Sequence, residues 1–328
     1  MRATSMLLLG VLAASGCGGS GSPPAPEAAP AGARLASVPA RPQLWFVSVS
    51  PDDSHRHLSI VPLGAPVATD RRYVTDLVCD RMYFGGHRGI CLASAPNGTE
   101  VTHYADVFDD RFERTHRVAL TGPPSRVRIS SDGRRAAATV FESGHSYAQE
   151  GFSTKTTVID LASGVVVCDL EEFAVWKDDA RFQAKDFNFW GLTFERDGNA
   201  FYATLDTGGV SYLVKGDIDR REMRVVRAGV ECPSLSPDNT RLVFKKRIGS
   251  RSRGWWQLAR FDLATSEETV LATETRSVDD QVEWLDNDAV LYHLTGSSTA
   301  ADLWALPVDG VSPPRLLLPN AYSPAVVR

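Results

Sequence analysis

The hydrophobic positions from Gln43 onward form short runs of β-branched and aromatic residues, which Gly, Asp, Asn and Pro interrupt at close intervals. The chain shows almost no helical periodicity over this stretch. Short apolar runs bounded by turn residues are typical of β-strands joined by tight turns. The pattern therefore predicts an all-β domain.

One sequence pattern recurs along this domain: a short apolar strand, a turn that contains Asp-Gly or Asp-Asn, and a second apolar strand. The turns of its four copies lie at 132–133, 197–198, 238–239 and 286–287. These dipeptides supply the positive φ that tight hairpins require. A second hairpin follows, as at 157–168, 258–271 and 303–318. Four antiparallel strands repeating at a spacing of roughly forty residues predict the blades of a β-propeller.

Counting these units predicts six blades, of which the second to sixth cover 81–121, 126–173, 186–229, 230–273 and 279–319. The first blade has three predicted strands between Leu44 and Leu77 and lacks the innermost one. The C-terminal segment Tyr322–Val327 resembles the missing strand. A ring closed in this way leaves neither sheet edge open. We therefore predict a six-bladed propeller of four-stranded antiparallel blades, closed by a C-terminal strand.

The turns 236–239 (Ser-Pro-Asp-Asn) and 130–133 (Ser-Ser-Asp-Gly), with hairpins such as 260–265, resemble the TolB-like propeller repeat. The resemblance covers most of 43–328 and extends to exported TolB-like translocation proteins. TolB itself has an additional N-terminal α/β domain, and no segment here matches it. The resemblance thus implies a propeller without that domain. It implies no particular activity, because propellers serve many unrelated functions.

The N-terminus has the layout of an export signal: Arg2, an apolar run over 6–14, and two small residues before Cys17. The run is too short to span a bilayer. Residues 14–17 (Ala-Ser-Gly-Cys) resemble a bacterial lipobox, which implies a diacylated Cys17 at the mature N-terminus. The alternatives are an ordinary secretory signal with an incidental Cys17, or a chance apolar start on a cytosolic chain.

The segment after Cys17 is rich in Gly, Ser, Pro and Ala, a composition that predicts a disordered tether. We expect a signal peptide over 1–16, a tether over 17–42 and a propeller over 43–328. The lipid would anchor the exported protein to a bacterial cell-envelope membrane.

Charge and cysteine content narrow the function classes. The net charge of −5 offers no argument for a nucleic-acid partner. Export places the four cysteines beyond Cys17 in a compartment that permits disulfides. Cys79 and Cys91 bracket a glycine-containing turn and are candidates for a bridge, provided that they do not lie in the middle of non-adjacent strands. Cys168 and Cys232 are expected to be free, packed thiols.

Signatures of catalysis are mostly missing from the sequence. It contains no G-x-S-x-G, no H-E-x-x-H, no paired C-x-x-C and no phosphate-binding glycine loop. His55 and His57 would share one strand face and could hold a metal, but the favoured explanation is that they are polar residues of an exposed hairpin loop. We therefore assign no catalytic residue, no metal site and no cofactor.

Strand direction places the connections between second and third strands on the same face as the connections between blades. The unusual loop segments fall into these two classes, and loops on a rigid scaffold often carry function. They supply the binding-face candidates His145, Glu150, Asp186, Asn188, Trp190, Arg251, Arg253, Trp255, Asp279 and Asp280. Each has a plainer explanation: the two aspartates cap a strand, and the aromatic residues belong to the core or to strands.

The sequence thus predicts a monomeric, membrane-tethered binding or scaffold propeller that recognises a protein or peptide, because Trp, Tyr and Arg at a concave rim anchor such contacts. The alternative is a hydrolase acting on carbohydrate or peptide, with Glu150, Asp186, Asp279 or Asp280 as acid and base. Two carboxylates facing one open cavity would favour the hydrolase. A channel mouth plugged by arginine would favour the binding protein.

Overall fold

A computed structural model describes residues 36–64, 71–142, 153–250, 254–295 and 301–328. Within these ranges the chain is almost entirely β-structure, arranged as six sheets around a central channel. The predicted all-β, six-bladed propeller is confirmed. None of the helical structure in the described ranges has the length and apolarity needed to cross a membrane.

The first three blades are four-stranded. Blade 1 contains β1 (Gln43–Ser48), β2 (His57–Pro62) and β3 (Tyr73–Val78), with the C-terminal β26 (Ala321–Val327) as its innermost strand. Blade 2 contains β4 (Arg81–Gly85), β5 (Arg88–Asn97), β6 (Glu100–Asp109) and β7 (Arg114–Leu120). Blade 3 contains β8 (Pro124–Ile129), β9 (Arg135–Glu142), β10 (Ser153–Asp160) and β11 (Val166–Asp169).

The remaining blades repeat this order from the channel outward. Blade 4 is built on β14 (Asn188–Phe194), β15 (Ala200–Thr207), β16 (Val210–Asp217) and β17 (Glu222–Ala228). Blade 5 contains β18 (Glu231–Leu235), β19 (Arg241–Ile248), β20 (Trp255–Asp262) and β21 (Glu268–Val270). Blade 6 contains β22 (Glu283–Trp284), β23 (Ala289–Thr295), β24 (Ala301–Pro307) and β25 (Arg315–Leu318).

Blade 4 carries two strands that the sequence did not predict. After a single 3₁₀ turn (Leu170–Glu172), β12 (Ala174–Lys177) and β13 (Ala180–Phe182) form a hairpin. β12 pairs in parallel with β17, so the sheet of blade 4 has six strands. Each strand of this hairpin is too short to show alternation, and a parallel pairing leaves no turn signature between β12 and its partner.

The recurring turn keeps the same hydrogen bonds in different blades. In blade 3, Ser130 Oγ donates to Asp132 Oδ1 at 2.6 Å, and the Arg135 N–H donates to Ser130 Oγ at 3.0 Å. In blade 5, Ser236 and Asp238 repeat the first bond at 2.5 Å, and the Arg241 N–H repeats the second at 3.0 Å. The side chains thereby provide hydrogen-bond partners for backbone groups of the turn, which no longer pair with a neighbouring strand. This shared pattern explains why the repeat is visible in the sequence.

Ring closure follows the prediction. β26 pairs antiparallel with β1, from Gln43 opposite Val327 to Ser48 opposite Ala321. The buried Arg72 reinforces the seam, since its guanidinium donates to the carbonyl oxygens of Pro319 (2.7 Å) and Asn320 (3.1 Å). The joint is therefore held by main-chain pairing and by a charged side chain.

The four cysteines within the described ranges are arranged as one bridge and two free thiols. Cys79, between β3 and β4, forms a disulfide with Cys91 on β5 and so links the end of blade 1 to blade 2. Cys168 and Cys232 are unpaired and buried, as predicted. The bridge is possible because Cys79 lies in the connection between blades rather than inside a distant strand, which places the two Cα atoms 5.3 Å apart.

Candidate functional site

The ring has two faces, which differ in how strands meet them. On the upper face the innermost strand of each blade begins, and the second and third strands are connected. On the lower face lie the first hairpin turns of the blades, such as 130–134 and 236–240. β1 begins and β26 ends at the lower face, so both ends of the propeller domain lie there.

The structure brings some of the predicted binding-face residues together on the upper face. Asp279 and Asp280 precede β22, Asp186 and Asn188 stand at the start of β14, Trp190 lies within β14, and Trp255 begins β20. His145, Glu150, Arg251 and Arg253 lie outside the described residues, as does the lipidation candidate Cys17. A binding role for this face remains a prediction.

The residues around β14 make contacts within blade 4 and, through Asn188, with blade 3. The Asp186 carboxylate accepts hydrogen bonds from the Thr207 hydroxyl (2.6 Å) and the Gly208 N–H (2.7 Å), and these donors lower its pKa. Asn188 Oδ1 accepts from the Thr154 N–H of blade 3 at 3.0 Å. Trp190 is only 7% exposed. The burial of Trp190 matches the plainer explanation that this aromatic residue belongs to the core.

The two aspartates at the upper mouth of the channel are paired with basic side chains. Asp280 Oδ2 lies 2.6 Å from His293 Nδ1, and Asp280 Oδ1 lies 3.9 Å from Arg81 Nη1. Burial raises the pKa of Asp280, but His293 and the guanidinium groups of Arg81 and Arg126 outweigh burial and hold it below its ordinary range. Asp279 is more exposed and pairs with Lys245 Nζ at 2.5 Å; the pKa of Asp279 is also lowered, since Lys245 and Arg126 outweigh its burial.

The pKa directions bear on the hydrolase alternative. A general acid needs a carboxyl group whose pKa is raised towards neutrality. The pKa values of Asp186, Asp279 and Asp280 are all lowered. These three carboxylates therefore lack the property that the acid of a glycosidase pair requires.

The upper mouth also carries a tryptophan flanked by cations. The Arg247 guanidinium lies 3.8 Å from the ring centroid of Trp256, and Lys245 Nζ lies 4.4 Å from it. Such contacts hold long cationic side chains in place against the ring. Trp255, the neighbouring candidate, is partly buried at the start of β20.

Below the mouth, side chains from blade 3 cross the channel to blade 6, which lies opposite in a six-bladed ring. Arg128 Nη2 on β8 donates to the carbonyl oxygens of Gln281 (3.1 Å) and Val282 (2.8 Å). It also lies 3.8 Å from Glu283 on β22. Tyr83 on β4 donates its hydroxyl to the same Glu283 carboxylate at 3.0 Å. Together these groups form a buried polar layer across the middle of the channel.

On the lower side of this layer is a cavity of about 380 Å³. Arg128, Tyr83 and Glu283 form its floor, and its apolar wall comprises Phe84, Ile129, Phe194, Leu235, Trp284 and Val326. Three exposed arginines, Arg41, Arg196 and Arg328, stand at its rim. We call this space the lower cavity; its volume lies within the range of about 300–1,000 Å³ typical of ligand pockets.

Two carboxylates also line the lower cavity, and each already has partners. Glu195 Oε1 lies 2.7 Å from Lys215 Nζ. Glu283 accepts from Tyr83, and burial raises its pKa in spite of Arg128. Their contacts stabilise the wall and the floor of the cavity. Among the described residues, no group of three or more His, Cys, Asp or Glu side chains is arranged to hold a metal ion.

Sequence reasoning based on loop length missed the lower cavity, because the hairpin turns that surround it are short. A different signal was present. Arg126 and Arg128 alternate on β8, and Tyr83 and Glu283 also lie on innermost strands. Charged residues at alternate positions of a channel-lining strand point into the channel, since side chains alternate across a sheet.

No family model matches the chain, and no curated protein matches it. Among solved structures, TolB from Acinetobacter baumannii superposes with a TM-score of 0.58 over 87% of this chain, at 15% sequence identity. The matched part spans 66% of that TolB chain. A structure titled as a nidogen/laminin complex gives a TM-score of 0.55 at 10% identity, covering 88% of this chain and 98% of the other. The resemblance to a TolB-like propeller is thus confirmed for the fold.

Proposed function

We propose that this protein is a non-catalytic binding propeller that recognises a protein or peptide segment, and that the lower cavity receives that segment. The observation that carries the proposal is the cavity itself: a concave space with an apolar wall, three arginines at its rim and a polar floor. Apolar anchors and arginine are the residue types that dominate binding energy at protein interfaces.

The contacts of the carboxylates at the channel mouth support binding rather than hydrolysis. The carboxylates named for catalysis that fall within the described ranges are held by cations or by hydrogen-bond donors. The upper mouth is occupied by Arg81, Arg126 and Lys245, which pair with Asp279 and Asp280. An arginine-plugged mouth is what we expect of a binding propeller.

The proposal places the protein in the cell envelope, tethered through a lipid on Cys17. The buried Cys79–Cys91 disulfide supports export, because such bridges persist in oxidising compartments. The propeller begins at the lower face, so a tether over 17–42 would join the domain on the same side as the lower cavity. Residues 17–35, the part of the proposed tether that precedes the described residues, number 19; they would reach up to about 65 Å when extended and about 24 Å as a flexible average, so the cavity would retain access to partners near the membrane.

Site-specific photo-crosslinking in native cells tests this function. A photoreactive side chain at Ser131, an exposed residue at the cavity rim, should give a discrete adduct with another polypeptide. The same group at Trp255 probes the upper face, and at Thr115 on β7 it probes the outer edge of blade 2.

The three positions separate the possible outcomes. An adduct at Ser131 and none at Thr115 supports the proposal. An adduct at Trp255 alone would move the binding site to the upper face, as the loop pattern of the sequence predicted. Equal adducts at all three positions, or none at any, would contradict recognition at a defined site.

A further inference from the structure

The charge around the lower cavity is opposite in sign to the charge of the whole protein. The chain has a net charge of −5, yet among the described residues the cavity is lined by four arginines, Arg41, Arg128, Arg196 and Arg328, and by two glutamates. A patch of one sign inside low-dielectric walls concentrates the field towards ligands of the other sign. This asymmetry is the starting point for identifying what binds there.

The rim arginines form no salt bridge with a carboxylate of the described residues. Arg196 donates from Nη2 to the Pro237 carbonyl oxygen at 3.3 Å, and Arg328 donates from Nη2 to the Leu285 carbonyl oxygen. The guanidinium of Arg41 lies 5.8 Å from the ring centroid of Phe84. Carbonyl and aromatic contacts orient a guanidinium but do not neutralise its charge, so these three groups retain the capacity to bind anions.

The acidic residues of the cavity are already engaged elsewhere. Glu195 pairs with Lys215 outside the rim, and Glu283 shares Arg128 and Tyr83 on the floor. Glu283 also acts electrostatically on Arg328, but its charge is shared with Arg128, so the rim keeps a net positive charge. The wall between rim and floor is formed by apolar side chains, including Phe84, Phe194 and Trp284.

We infer that the lower cavity binds an acidic, partly apolar peptide segment, whose carboxylates pair with Arg41, Arg196 and Arg328 while its apolar side chains contact the wall. This inference rests on the proposed function and specifies the chemistry of the partner. Guanidinium groups bind carboxylates in a paired, two-bond geometry, and their contribution grows as water is excluded. Apolar contact distinguishes such a segment from a free inorganic anion.

Peptide selection tests the chemistry without knowledge of the natural partner. The full chain, purified in detergent, selects binders from a random dodecapeptide display library, with the double variant R196Q/R328Q as counter-selection. We expect the recovered peptides to carry net negative charge together with apolar residues. Recovery of neutral or basic peptides, or of none that depends on these arginines, would overturn the inference.

Fluorescence anisotropy with one recovered peptide then measures how much the rim arginines contribute to peptide affinity. The R196Q/R328Q protein should bind about tenfold or more weakly, and replacing the acidic residues of the peptide by Gln or Asn should give a similar loss. The matched control R134Q/R315Q removes two exposed arginines that do not line the cavity and should change affinity by less than about twofold. Equal losses of peptide affinity in both variants would show that only the net charge of the protein matters, which would overturn the inference.

Competition with small anions distinguishes a segment from a free anion. Glutarate and inorganic phosphate should displace the peptide only at concentrations about a hundredfold or more above its dissociation constant, since they lack the apolar contacts. Displacement at equal concentration would identify a small-anion site and overturn the peptide assignment. If the Ser131 adduct forms in cells while acidic peptides show no preference, the proposed function stands and this inference fails.

Discussion

The buried carboxylate of Asp280 organises the cations at the upper mouth of the channel, and its removal provides a direct test of how the ring is held together. Asp280 is 3% exposed and lies 2.6 Å from His293 Nδ1 and 3.9 Å from Arg81 Nη1. It also accepts the Gln281 N–H at 2.9 Å. The change Asp280→Asn keeps the shape and one acceptor oxygen but removes the negative charge that faces Arg81 and His293.

The expected cost follows from leaving buried cations without their anion. Breaking a buried ion pair by removing one partner costs about 3–5 kcal/mol. Because asparagine can still accept a hydrogen bond, we expect the lower end, about 3 kcal/mol, at neutral pH. With a urea m-value of about 3 kcal/mol/M, the unfolding midpoint should fall by about 1 M.

The pH dependence provides a second, independent readout. The pKa of Asp280 is depressed in the folded state, so its stabilising contribution is present above the unfolded pKa of about 3.9 and is lost as the pH falls below that value. Asp280→Asn lacks this contribution. The difference in free energy of unfolding between wild type and variant should therefore be largest near pH 7 and shrink progressively below about pH 4.

Urea unfolding followed by tryptophan fluorescence at pH 7 and at several values below pH 4 measures both effects. Asp76→Asn is the matched control, because Asp76 is exposed on the outer strand β3. The control should lie within about 0.5 kcal/mol of wild type. Should Asp280→Asn match the control at pH 7, or keep a constant deficit down to the lowest pH, the argument that paired charges stabilise the channel mouth is wrong.

Four other perturbations address the fold and the anchor. Deleting 321–328 removes β26 and bares the buried Trp45 and Val47, so we expect aggregation or loss of cooperative unfolding in calorimetry; a soluble, equally stable truncation would contradict ring closure. Reducing the Cys79–Cys91 bridge, which spans a sequence separation of 12, should cost about 3 kcal/mol in urea unfolding, and an unchanged midpoint would argue against a stabilising bridge. Gly133→Ala places a Cβ 2.6 Å from the Gly86 carbonyl oxygen at φ +70°, whereas Gly98→Ala has a similar φ of +64° and open space; a melting temperature lowered more by the first change isolates the steric contact. Cys17→Ser should abolish lipid labelling and leave the precursor unprocessed, whereas a variant that still partitions wholly with membranes through its N-terminus would refute lipidation.

The sequence alone determined the architecture, because the architecture depends on local, repeated chemistry. Turns such as 130–133 and 236–239 form side-chain hydrogen bonds among their own residues, so a few adjacent residues are enough to identify a blade in the sequence. The period of the repeat then fixed the number of blades. The missing inner strand of blade 1 and the spare strand at the C-terminus predicted the closure that β26 provides.

Features that depend on distant parts of the chain required the tertiary structure. The outer hairpin β12–β13 joins blade 4 through a parallel pairing with β17 that no local pattern signals. Asp280 is buried because two residues converge on it. Arg81 lies about 200 residues earlier in the chain, and His293 lies on β23, one strand further along. The lower cavity is built from residues of every blade, and its charge emerges only when Arg41, Arg196 and Arg328 meet at one rim. The sequence specifies each residue and its neighbours along the chain. Burial, charge pairing and the concave shape of the cavity are properties of distant residues that closure of the ring brings together.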